Sequence, residues 1–254
     1  MNLLSPIPHL VLLLTTILVS HVLPAQILNI EDERIKTDTT GWGGKTRLSL
    51  NYQKTDVDFF KSDVFAHLQF KRPAHLYLLL LEHSLSKGDG TEFTNASTQH
   101  FRYNYKLNKT VVAEAFVQGQ FNKVLHVQYR FLAGAGPRFA LIKKDYLRLY
   151  LGNIYMYETE YLTDGIVNRQ HRISNYLSAT IQFSKSLSMV HTTYYQPMLA
   201  HYHDYRIFSQ SALKLSFTKH FRFSFDYKYY FDSHPPAGIV NSTHYVLNGI
   251  EFVF

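Results

Sequence analysis

The chain has 254 residues, a formal charge of +7 and no cysteine. The missing cysteine excludes disulfides, a lipoprotein anchor and thiolate metal sites. The length suits one large domain or two small ones, and the basic excess would suit nucleic acid, anionic lipid or anionic solutes, so the arrangement of the charges has to decide.

Residues 1–25 read as a signal peptide. LVLLLTTILVS at 10–20 is an apolar stretch of h-region length, and VLPAQ places Ala25 before a cut at Gln26. The stretch is too short to span a bilayer as a helix. Residues 26–40, which include IEDERIKTDTT, form a short charged segment expected on the periplasmic side.

From residue 41 to 254 the pattern changes to alternation. TRLSLNYQ puts Leu48, Leu50 and Tyr52 on one face and Arg47, Ser49, Asn51 and Gln53 on the other. TQHFRYNYKL separates Phe101, Tyr103, Tyr105 and Leu107 from His100, Arg102, Asn104 and Lys106. VLHVQYRF sets Leu125, Val127, Tyr129 and Phe131 against His126, Gln128 and Arg130. HFRFSFDYKYYF sets Phe221, Phe223, Phe225, Tyr227 and Tyr229 against Arg222, Ser224, Asp226, Lys228 and Tyr230. Segments 75–85 and 145–158 alternate less cleanly. Turn signals cut the chain into about twelve such segments. The connections KRPA, LNKT, IKKD, SKS and TKH are short and basic, whereas SKGDGTEFTNAS, TEYLTDGIVN and SHPPAGIVN read as longer loops at the other end.

Short turns at one end and long loops at the other are the form of an up-and-down antiparallel transmembrane β-barrel. A soluble barrel also alternates, but it turns its apolar face inward. Here the apolar face is rich in the 19 Tyr and 19 Phe, and the polar face is crowded with arginine. That combination predicts aromatics toward lipid and charge toward the lumen. No stretch after residue 26 is apolar enough for a transmembrane helix.

The last strand, HYVLNGIEFVF, alternates through Ile250, Phe252 and Phe254, with Asn248 interrupting the series. An aromatic-ended strand of this kind is the signal that the barrel-assembly machinery reads, so that machinery is an expected partner, together with outer-membrane lipid and lipopolysaccharide.

Several stretches resemble one family, the domain of unknown function 481 group, whose members are often labelled salt-induced outer membrane proteins. YKYYFDSHPPAGIVNSTHYVLNGIEFVF at 227–254 is similar to its closing strands, TGWGGKTRLSLNY at 40–52 to its opening Trp-x-Gly strand, and VQYRFLAGAGPRF at 127–139 to its central Gly-x-Gly segment. The resemblance implies an outer-membrane barrel and no established activity.

The charges on the polar face are the candidate functional residues: Arg47, Arg102, Arg130, Arg148, Arg172, Arg206, Lys214, Arg222 and Lys228, opposed by Glu82, Glu114, Asp226 and Glu251. Two states of such a lumen are open. The charges pair and plug it, or they line a narrow pore that favours small anionic solutes. Nucleic-acid binding has little support, because the basic residues alternate with apolar ones and make no single patch.

GAGPR at 134–138 lacks the Gly-Lys-Ser/Thr of a phosphate loop and reads as strand glycine that relieves crowding. His201, His203 and Asp204 in HYHD are weak metal candidates, and no cofactor is expected. The alternative function is a membrane-embedded hydrolase acting on phospholipid, with His191 outward on the ninth strand and Ser209 or Ser211 approaching from the tenth.

Overall fold

A computed structural model of the chain describes residues 40–54, 58–123, 126–235 and 240–253. The expected signal peptide, the segment 26–39 and Phe254 lie outside the described residues. Twelve strands follow one another: β1 (Gly41–Lys54), β2 (Asp58–Lys71), β3 (His75–Gly88), β4 (Thr91–Lys106), β5 (Val111–Asn122), β6 (Val127–Lys143), β7 (Leu147–Leu162), β8 (Val167–Gln182), β9 (Leu187–Pro197), β10 (Tyr205–Ser216), β11 (Phe221–Asp232) and β12 (Ser242–Val253). Each pairs antiparallel with its chain neighbours, and β1 returns to β12, so the sheet is a closed barrel. Where the strands pair, closure satisfies ladder groups that an open edge would leave to lipid.

The strands are long because the alternating pattern runs through what the turn residues suggested were loops. SKGDGTEFTNAS is not a loop: β3 and β4 continue to Gly88 and from Thr91, and Asp89-Gly90 alone turns the chain. Both residues have positive φ, 49° and 76°, which is the backbone of a tight hairpin turn. TEYLTDGIVN is likewise mostly strand, with β7 reaching Leu162 and β8 starting at Val167.

One local facing differs from the alternation. The β5/β6 and β6/β7 pairings both slip beside Val127. This bulge turns Val127 inward, where it is buried, and leaves Gln128 exposed. A single extra residue flips every side chain on its far side, and so the expected order of Val127 and Gln128 is reversed.

The outer surface carries the aromatic and aliphatic face, including Phe101, Leu177, Phe225, Tyr227, Ile250 and Phe252. The interior is less polar than the alternation predicted. Phe116, Leu132, Ile154, Met156, Tyr176, Tyr194, Phe208 and Tyr230 point into the lumen from β5 to β11 and pack as one cluster. A smaller cluster of Phe65, Leu78 and Leu80 sits on β2 and β3. Two inward glycines make room for the large rings. A Cβ on Gly134 would stand 2.6 Å from the Phe116 ring, and one on Gly152 would collide with Tyr176. Burying a side chain of this size is worth roughly 1.5–3 kcal/mol, so the lumen contributes to stability as well as to chemistry.

Candidate functional site

The lumen is organised around three carboxylates. Glu158 on β7 is the most enclosed. Arg130 from β6 approaches it to 2.8 Å, Arg206 from β10 to 2.9 Å and Arg172 from β8 to 3.9 Å. A single carboxylate cannot neutralise three guanidinium groups, and other acids complete the balance. Arg206 donates from Nε to Asp232 at 2.9 Å, Arg172 from Nη2 to Asp204 at 2.7 Å, and Glu160 lies 3.7 Å from Arg130.

Glu114 on β5 centres the second group. It accepts from Arg102 Nη1 at 3.0 Å and from the Tyr176 hydroxyl at 2.7 Å, with Arg138 Nε at 3.9 Å. Arg102 also lies over the Phe116 ring and Arg138 over Tyr150, at 5.2 Å and 3.7 Å from the ring centroids. The ionic and aromatic parts of the lumen thus meet here: Arg102 and Arg138 lose water but gain a carboxylate and a ring face.

Glu251 on β12 centres the third, near the short-turn end. Arg47 comes to 3.3 Å, Lys45 to 3.6 Å and Arg222 to 3.9 Å. Asp226 accepts from Gln210 at 2.9 Å and from Ser224, and Lys214 is buried on the same inner face. Arg148 and Glu82 also lie on inward positions and are half-buried.

Apart from buried Glu251 and half-buried Glu82 and Arg148, side-chain burial divides the candidate charges into two sets. Arg102, Arg130, Arg172, Arg206, Lys214, Glu114 and Asp226 are buried in the filled part of the lumen. Arg47, Arg222 and Lys228 are half-buried along the β11–β12–β1 wall. Beside them Ser49, Asn51 and Gln53 take inward positions opposite Asp63, Lys61 and Phe59, yet remain exposed. The lumen is therefore packed on the β5–β11 side and accessible along the strands that close the barrel.

Ile250 and Phe252 face outward, and the Phe252 ring packs 5.4 Å from Phe221. The residues of the HYHD stretch do not gather: His201 and His203 are exposed, while Asp204 is committed to Arg172. Among the described residues no group of three His, Asp or Glu side chains is arranged to hold a metal ion. GAGPR lies within β6, with Arg138 pointing inward and no helix after it.

His191 does face outward and reaches Ser211, with Nδ1 2.8 Å from Oγ. Its Nε2 lies 3.2 Å from the Thr193 hydroxyl, which is itself 3.0 Å from Ser209. A nucleophile and a base are in contact, but the group orienting the base is a neutral hydroxyl.

Sequence reasoning missed Glu158, Glu160, Asp232, Lys45 and Arg138 as members of the charge network, and it missed the lumen aromatics other than Tyr230. The signal for Glu158 and Glu160 was present in MYETEY, where both share the face of the buried Met156.

No curated protein is significantly similar in sequence. Among solved structures, the chain is similar to the NanC porin, at a TM-score of 0.53 and 10% identity over 83% of this chain and 98% of that one. It is similar to the translocator domain of the autotransporter NalP from Neisseria meningitidis, at 0.52 and 11% over 85% and 90%. An outer membrane channel from Pseudomonas putida F1 matches at 0.55 and 9% over 90% and 100%. At such identities the likeness is one of fold, that of the outer-membrane β-barrel. The family described as "Protein of unknown function, DUF481" matches residues 32–254, and the chain belongs to it.

Proposed function

We propose that this protein resides in the bacterial outer membrane, delivered by residues 1–25 and inserted by the barrel-assembly machinery. There it passes small anionic solutes through a narrow path beside a packed plug. The observation that carries this reading is the accessible inner wall formed by β11, β12 and β1. Arg47, Arg222 and Lys228 stay half-buried there, with Glu251 at the base of the wall beside the first two, while Arg130, Arg172 and Arg206 are buried among Glu158, Glu160, Asp204 and Asp232. Cations spaced along a water-accessible wall lower the barrier for anions and raise it for cations. Around the rest of the barrel, the outer face meets membrane lipid and lipopolysaccharide.

Single-channel recording of the refolded protein in planar bilayers under a KCl gradient tests the reading. The expected result is small steps with a reversal potential displaced toward chloride. Lys228→Glu combined with Arg222→Glu is expected to move that potential toward potassium. Correctly folded protein without steps, or with steps indifferent to the double reversal, would overturn it.

The hydrolase alternative draws support from the Ser211–His191 contact alone. Against it stand the neutral partner of His191 and its outward position, where acyl chains keep out the water that hydrolysis consumes.

A further inference from the structure

At the rim β4 and β8 outrun the shorter β5 and β9, but among the described residues it is at the closing seam that two facing strands both run on unpaired. β1 and β12 pair at Lys45↔Val253 and Thr46↔Phe252, and the described residues show no further pairing between them. Both strands continue well beyond those positions. β1 stays paired to β2 as far as Lys54↔Asp58, and β12 to β11 as far as Phe231↔Ser242. Each therefore presents one open edge above the closing pairs.

Exposure marks the same gap. Leu48, Leu50 and Tyr52 are 66%, 65% and 64% exposed, and Val246 is 60% exposed, against 38% for Leu79 and 43% for Phe225 on strands with two partners. On the inner side, Leu247 is an inward apolar residue that is still 39% exposed.

Open strand edges are strongly unfavourable in hydrocarbon, because their peptide groups find no partner there. The seam has a closed alternative. Extending the two existing pairs brings Ser49 opposite Gly249, Leu50 opposite Asn248 and Asn51 opposite Leu247. That closed form is itself weak, since Gly249 offers no side chain and Asn248 would stand on the lipid side. Below the gap, Glu251 holds Lys45, Arg47 and Arg222 together, so the base stays fixed while the edges above it part.

We propose that the β1–β12 seam is a lateral gate between lumen and bilayer, and that it admits a single-tailed amphipathic anion. The anionic head lies against Arg47, Arg222 and Lys228. The acyl chain passes outward between Leu48 and Leu50 on one edge and Val246 and Leu247 on the other. The inference rests on the anionic path proposed above and names what can enter it from the side.

The test uses laurate carrying a diazirine on the third carbon, beside its carboxylate head, with the refolded full chain in liposomes. The natural absence of cysteine makes an engineered lock simple. Leu50→Cys with Asn248→Cys joins the edges in the closed register, and Ser49→Cys with Gly249→Cys is a second lock should the first fail to fold. In the reduced protein, photolabelling is expected on the inward residues Tyr245 and Leu247. Oxidation should reduce that labelling about ten-fold by trapping the closed state, and reduction should restore it. Lys228→Glu with Arg222→Glu is expected to lower it several-fold. Labelling confined to outward side chains, labelling unchanged by the disulfide, or cysteines that never join under oxidant would each overturn the gate. Chloride steps recorded from the locked protein separate the two ideas: steps that persist while labelling is lost support both, and lock-sensitive labelling without any steps overturns conduction and keeps the gate.

Discussion

Arg206 on β10 and Glu158 on β7 meet inside the lumen over the two strands between them, the guanidinium Nη1 lying 2.9 and 3.0 Å from the two carboxylate oxygens. The bridge joins strands that are not neighbours, so it holds parts of the wall three strands apart at a fixed separation. Glu158→Gln removes the charge from among three arginines and leaves them to repel in a space with little water. The expected loss is about 3–5 kcal/mol. Urea titration of the barrel in detergent, followed by heat-modifiable migration, measures it. A loss below about 1 kcal/mol would mean that water already screens the cluster, as it does a surface pair.

The aromatic part of the plug gives a separate prediction. Tyr176 is almost wholly buried and donates its hydroxyl to Glu114, so Tyr176→Ala deletes a ring and breaks a hydrogen bond at once. Stability is expected to fall by about 3–5 kcal/mol, and the unit conductance of the surviving barrels to rise as water fills the vacancy. Tyr176→Phe keeps the ring and should cost about 1–3 kcal/mol with conductance unchanged. Equal conductance in the two variants would place the solute path away from the plug's edge.

The sequence was most legible where two solvents face a strand from opposite sides. In Phe221–Asp232 lipid and lumen demand opposite chemistry, and the alternation names the facing of Phe225 and Asp226 correctly. It was least legible where the lumen itself is apolar. In LYLLLL both Leu79 outside and Leu80 inside are leucine, the second because it packs with Phe65, and the period of two disappears. The Val127 bulge left no mark, because a slipped residue alters the pairing without altering composition. Turn residues misled at Asp89-Gly90, where Gly and Asp punctuate a two-residue turn and the polar neighbours Ser86 and Thr94 belong to the lumen face of long strands. The site was legible as a set of inward charges; its division into paired and accessible members depends on contacts between distant strands.

The outward hydroxyl cluster carries a prediction about activity. His191→Ala removes the imidazole that touches Ser211, yet no phospholipid hydrolysis is expected in the natural protein or the variant. Because His191, Ser211, Thr193 and Ser209 satisfy one another, the loss of one partner should lower stability by about 0.5–1.5 kcal/mol. Release of fatty acid from mixed micelles, measured for both proteins, checks this. Activity in the natural chain that vanishes in the variant would make the hydrolase reading correct.

The orientation of the wall can be tested at two adjacent residues. Phe225 points outward and Asp226 inward on β11, so one step along the backbone crosses from the lipid face to the lumen. Phe225→Arg places a cation among acyl chains and is expected to cost about 2–4 kcal/mol. Asp226→Asn keeps the shape and leaves Gln210 and Ser224 a neutral oxygen, so its effect should stay near 1 kcal/mol. Folding yields in liposomes against urea give both values. If the arginine at 225 were tolerated and the asparagine at 226 were not, the apolar face would lie inside the barrel and the charged face in water, the arrangement of a soluble barrel.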